Sequence, residues 1–300
     1  MAENAASERG AGALYALLAY GIWGFAPIYW KEVERFPAPE LLAYRVIASL
    51  GVAVLMIAAL RAWRELGAAL RSFRSAACGA AAGLLLAVNW LVFIWAVQNG
   101  LILATSLGYY INPLVNVLLG LLILRERLTR VQVLAVVVAA AGVAVQTAER
   151  GELPWVALVL AASFGLYGLV RKLGPATPLV GFGIETLTLA PLAAAYLGHL
   201  GGRQTATVPA ASGGMQMLVA SSGLITALPL LAFAAAAKRL PLSMLGMFQY
   251  LAPTLTFLLA VWVYGEPFTR GHAVSFACVW VALALSMWET LSRAPRVAVA

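Results

Sequence analysis

Aspartate is absent from this 300-residue chain, and only two cysteines, two histidines and 11% charged residues are present. Each scarcity closes off a class of chemistry. Metal-assisted or hydrolytic sites need clustered acids, imidazoles or thiols, yet His199 and His272 stand at the ends of apolar runs with no carboxylate or cysteine at ligand spacing. Cys78 and Cys278 are solitary, each inside an apolar stretch, so they read as small buried residues rather than a disulfide or metal framework. No P-loop pattern occurs that would cradle a nucleotide phosphate. Neither a metal nor a cofactor is implied.

What fills the chain instead is hydrocarbon. Apolar residues make up 63% of it and the mean hydropathy is +0.90, more than a water-soluble core could hide. A membrane-spanning helix needs roughly 20 mostly apolar residues, and ten such stretches are expected over 11–30, 41–60, 76–97, 101–124, 131–146, 153–170, 179–197, 215–237, 242–264 and 273–289. The polar first ten residues precede an apolar run too long for a signal-peptide core, which is expected to remain as the first helix.

The net charge of +8 does not gather along one face, as a nucleic-acid partner would require, but lies in tufts between the apolar runs. Such tufts report topology, because cytoplasmic loops retain Lys and Arg. One set of alternating loops carries fourteen basic residues, among them Arg61, Arg64, Arg71, Arg74, Arg171 and Lys172, and the opposite set carries five: Lys31, Arg35, Arg150, Arg203 and Arg270. Both termini are therefore expected on the cytoplasmic side of a bacterial inner membrane.

The two halves match at a shift of 140 residues: Tyr110, Pro113, Glu126, Thr129 and Arg130 become Tyr250, Pro253, Glu266, Thr269 and Arg270. Five helices per half is an odd number, so the second copy must enter from the other side. The expected fold is an all-α membrane protein of ten transmembrane helices, arranged as two inverted five-helix repeats over 1–148 and 149–300.

Within the predicted helices only Arg45 and Glu185 are charged, and each costs roughly 2.5–3.5 kcal/mol at the bilayer centre. The same shift superposes them, which brings the opposite charges together near the midplane or sets them at equivalent depths in opposite leaflets. They read either as coupling and binding groups or as static charges, in an ion pair or snorkelling to the interface. Pro113 and Pro253 are a symmetric pair of helix interruptions suited to gating, or to packing. Trp23, Asn89, Trp90, Tyr109, Tyr110, Asn112, Asn116, Tyr167, Gln249 and Tyr250 are candidates to line a solute cavity, the alternative being helix–helix hydrogen bonds and lipid anchors. Gly79 and Gly83 form a GxxxG, for which tight helix packing is sufficient explanation.

Five stretches carry a resemblance: YGIWGFAPIYWK (20–31), NWLVFIWAV (89–97), SLGYYINPLVNVLLG (106–120), LYGLVRK (166–172) and AAAAKRLPLSMLGMFQYLAPTLTFLLAVWVYGE (234–266). With them the chain resembles the RarD proteins, chloramphenicol-sensitivity permeases of the EamA branch of the drug/metabolite transporter superfamily. The resemblance implies ten helices in inverted repeats around a central cavity, and secondary transport, often efflux, of a small organic and perhaps aromatic or amphipathic solute without ATP. The rivals are an intramembrane enzyme, which lacks a deep nucleophile–base or metal set, and a receptor or scaffold, which would need longer cytoplasmic segments.

Overall fold

The computed structural model describes residues 2–123, 125, 129–237, 239–240 and 248–293. Glu126, Lys238 and the start of the expected ninth helix lie outside the described residues. Among the described residues all regular structure is helical: α1 (Ala2–Glu32), α2 (Ala38–Ala59), α3 (Trp63–Arg71), α4 (Phe73–Gln98), α5 (Ile102–Leu122), α6 (Arg130–Arg150), α7 (Trp155–Leu173), α8 (Pro178–Gly202), α9 (Gly213–Ala220), α10 (Ser222–Ala237), α11 (Leu251–Leu258), a π-helical turn (Leu259–Val263) and α12 (Arg270–Arg293). Eight segments are long and apolar enough to cross a membrane, and Leu251–Val263 and Arg270–Leu285 are shorter apolar helices. Large side chains such as Leu55, Leu122, Met217 and Trp262 face outward, as lipid in place of water demands.

Helix boundaries follow local chemistry. Pro37 and Pro178 set the starts of α2 and α8, where a missing N–H costs nothing. Ser72 caps α4 through the Ser75 amide, and Thr129 with Gln132 forms a capping box on α6. The position 140 residues on is built alike, with Thr269 and His272 exchanging the same bonds at the start of α12. Gly151 ends α6 at φ 70°, a left-handed conformation that glycine adopts without strain.

Three differences from the expected helices have physical causes. The stretch 215–237 is two helices, broken at Ser221, whose hydroxyl bonds the Leu218 carbonyl in place of a helical partner. The nine-residue α3 went unpredicted because it is amphipathic and too short to span, alternating Arg64, Glu65 and Arg71 with Trp63, Leu66 and Leu70. Pro253 does not interrupt a long helix. A turn at Gln249–Tyr250 precedes α11, which puts this proline in the first helical turn, whereas Pro113 lies inside α5.

Loops segregate to two ends of the bundle as the charge count divided them. At one end Gln98 Nε2 donates to the Phe36 carbonyl, the Lys31 ammonium stands over the Tyr264 ring, Glu40 accepts from the amides of Thr207 and Val208, and Glu266 accepts from those of Ile102 and Leu103. At the other end Arg74 reaches the Leu173 carbonyl and Thr129 donates to Glu289. α6 and α12 pack closely, with Glu289 of one against the start of the other and Glu149 of the other beside Gly271 of the first.

Candidate functional site

The sequence-selected residues do not form one cluster. Asn89, Tyr109, Asn112 and Asn116 form a polar chain against α7. Asn89 is buried, and its Nδ2 donates to the Leu160 carbonyl at 3.1 Å and to Ser163 Oγ at 3.0 Å, while its Oδ1 accepts from the Tyr109 hydroxyl at 3.2 Å. Asn112 Nδ2 donates to the Ala161 carbonyl at 3.1 Å, and its Oδ1 accepts from the exposed Asn116. The two deep amides thus tether α4 and α5 to the same turn of α7, and their hydrogen-bonding capacity is spent on protein.

Tyr110 and Tyr250 meet. Their rings stack with centroids 6.4 Å apart and planes 16° from parallel. Beside them Tyr110 and Thr254 hydroxyls bond, and Ser106 donates to the Pro253 carbonyl at 2.7 Å. Gln249 is half-buried in the turn before Tyr250. Trp23 belongs elsewhere, in an aromatic group with Tyr20 and Phe233 between α1 and α10.

The two deep charges have separate surroundings. Glu185 is 1% exposed, and its carboxylate pairs with Arg171 at 3.4 Å, not with Arg45. Two features let Arg171 reach it from the last turn of α7. Gly181 lies one helical turn before Glu185, and a Cβ there would fall 1.5 Å from Arg171 Nη1. Gly79 and Gly83 bring α4 against α8, a Cβ on Gly83 meeting the Glu185 carbonyl oxygen at 2.9 Å. The GxxxG is therefore a packing element, as expected. Tyr167 also interacts with the Glu185 carboxylate and packs on Phe164, which in turn contacts Tyr109.

Arg45 is buried on α2. Its Nε donates to Thr226 Oγ1 at 3.0 Å, and its guanidinium lies 4.1 Å from the Trp90 ring centroid and 5.1 Å from that of Trp30. α2 and α8 run antiparallel, since Glu40 near the start of one meets Thr207 beyond the end of the other, and Ile57 faces Gly183. Glu185 is thus level with about residue 55, which sets it ~15 Å along the axis from Arg45 at 1.5 Å per residue. Each charge lies about 10 Å inside its own helix start, at opposite ends of the antiparallel pair. Of the two arrangements the repeat permits, equivalent depths is the one adopted.

Arg171, Trp30 and Thr226 were not singled out from the sequence. Arg171 was counted as a loop cation, although it lies one turn from Tyr167, and Trp30 stood unused within 20–31. Outside the spans, burial raises the Glu266 carboxyl above its ordinary value, and the Leu103 and Ile102 amides and nearby Lys31 offset only part of this.

Comparisons with known proteins agree with this architecture. Residues 10–147 match the EamA-like transporter family. The chain is 45% identical over 282 residues to an uncharacterized transporter, YojE, of Bacillus subtilis (strain 168), covering 93% of this chain and 94% of that one. It is likewise 45% identical over 280 residues to the protein RarD of Escherichia coli (strain K12), covering 93% and 95%. A solved crystal structure shares the fold with a TM-score of 0.62 at 20% identity, over 95% of this chain and 99% of that one. A multi-helix membrane bundle with these relatives is a membrane transporter, and the chain belongs to the RarD permeases of the EamA-like transporter family.

Proposed function

We propose that the protein is a secondary transporter that moves small organic solutes across the bacterial inner membrane by alternating access, with export as the direction and both termini cytoplasmic. Its ten helices form two inverted repeats, 1–148 and 149–300. The observation that carries this reading is reciprocity between positions 140 residues apart. Tyr110 stacks on Tyr250, the Thr129–Gln132 cap is repeated as Thr269–His272, and Glu149 and Glu289 each stand at the start of the other's partner helix. A two-fold operator requires such mutual contacts, and inverted repeats place solute sites near the midplane between the halves.

In this reading the halves rock about the Tyr110–Tyr250 contact, with Pro113 and the turn before Pro253 as the bending points. The Asn89 and Asn112 tethers keep α4, α5 and α7 moving together. Export and cytoplasmic termini rest on the family resemblance and on the excess of Lys and Arg at one end of the bundle.

The test uses proteoliposomes loaded with a bacterial metabolite extract, with the external medium followed by mass spectrometry. Faster release of particular solutes than from protein-free vesicles supports transport. Release indistinguishable from protein-free vesicles over the whole extract, in both insertion orientations, removes the reading.

A further inference from the structure

The interior is not electrically balanced. Glu185 is neutralised by Arg171, whereas Arg45, 9% exposed, has no carboxylate within ion-pairing distance among the described residues. On α2 the other carboxylate is Glu40, whose oxygens are taken by Thr207 and Val208, about 7.5 Å away along the axis at 1.5 Å per residue. A buried cation without a counter-ion is costly, and aromatic faces compensate only part of that cost.

Arg45 is also only partly hydrogen-bonded. A guanidinium carries five N–H donors in a planar fork, and only Nε has an acceptor among the described residues, Thr226 Oγ1. Trp90 and Trp30 pack on the guanidinium and hold it in place without supplying an acceptor. One turn further on the same face of α2, Ser49 is fully buried and its hydroxyl lacks a hydrogen-bond partner. Donors are in excess here and acceptors are missing. The missing group is planar, negatively charged and able to take two parallel N–H bonds.

We propose that Arg45 binds the oxyanion head of the transported solute, which makes small organic carboxylates the cargo class, with the indoles of Trp30 and Trp90 favouring a carboxylate that carries an apolar or aromatic body. This rests on the transporter reading and deepens it by naming the solute charge. Arg45 supplies the charge and the fork, Thr226 fixes its orientation, and the Glu185–Arg171 pair leaves the net interior charge positive. A lipid phosphate shares the same oxyanion chemistry, so the experiment separates the two sources.

The test is thermal stabilisation of the purified full chain by matched pairs that differ only in charge: benzoate and benzamide, phenylacetate and phenylacetamide, indole-3-acetate and indole-3-acetamide. The expected result is at least tenfold tighter binding of one or more acids than of the matching amide, loss of that preference in Arg45→Gln, and partial return in Arg45→Lys. Equal stabilisation by acids and amides, stabilisation by no acid in the panel, or an acid preference that survives Arg45→Gln overturns the proposal. Should Arg45→Gln fail to fold, the acid–amide comparison on the wild-type protein decides alone. A parallel arm compares phosphatidylglycerol with phosphatidylcholine nanodiscs; protection by the anionic lipid that the acids cannot compete away assigns the site to lipid and overturns the cargo class. The transport reading fails separately. If acids bind through Arg45 yet no solute crosses proteoliposomes, transport is wrong and the oxyanion site stands; if neutral solutes cross at the wild-type rate in Arg45→Gln, transport stands and the cargo class is wrong.

Discussion

Replacing Arg171 and Arg45 in turn, each with and without Glu185→Gln, measures which cation Glu185 answers to. The Arg171 guanidinium is 3.4 Å from a carboxylate that is almost wholly buried. Direct attraction at that distance is about 5 kcal/mol at an effective dielectric constant near 20. Desolvation consumes much of it, and the Arg171 side chain keeps 21% exposure, so the expected coupling is about 2 kcal/mol rather than the 3–5 of a fully enclosed pair. Arg45, ~15 Å along the helix axis, couples to the same carboxylate by about 1 kcal/mol at most. Arg171→Gln alone therefore destabilises the protein by about 2 kcal/mol, and Glu185→Gln on that background recovers most of the loss. Reversible unfolding of the four variants of each cycle in one detergent gives both couplings. A larger coupling to Arg45 than to Arg171 refutes the placement of the two charges.

Gly83→Ala places a methyl group 2.9 Å from the Glu185 carbonyl oxygen, a backbone atom that cannot rotate aside, and costs about 1–2 kcal/mol; Gly51→Ala on α2, where nothing lies within 4 Å, gains about 0.5–1 kcal/mol. Equal unfolding midpoints for the two variants contradict the close approach of α4 and α8. Asn89→Leu removes three hydrogen bonds and costs about 2 kcal/mol at ~0.6 each in a membrane setting; Tyr109→Phe costs about a third of that, and a neutral Asn89→Leu refutes the tether to α7. The raised folded pKa of Glu266 means that its contribution is full below the ordinary value of 4.5 and is lost as the pH rises through the raised value. Wild-type stability relative to Glu266→Gln, followed by thermal unfolding from about pH 4 to pH 8, accordingly falls as pH rises; a rise shows that the Ile102 and Leu103 amides outweigh burial.

Hydropathy alone carried the membrane bundle because lipid imposes the same requirement on every span. The repeat was readable for a related reason: Tyr110 and Tyr250 match in sequence and then touch in space. Side-chain partnerships were not readable in the same way. Glu185 finds Arg171 only because Gly181 leaves room, a condition set by how α7 and α8 pack. Glu40 and Glu266 looked like loop-end acids, and they serve helix ends and loops that are distant in sequence. Asn89 and Asn112 were correctly marked as buried amides needing partners, but the sequence could not say that the carbonyls of Leu160 and Ala161 would satisfy them.

The most direct test of the account is solute release from proteoliposomes loaded with a metabolite extract and reconstituted with wild-type protein or Arg45→Gln. The account predicts saturable release of organic acids by the wild-type protein and its loss in the variant. Release by neither protein above that of empty vesicles contradicts the transporter at its centre.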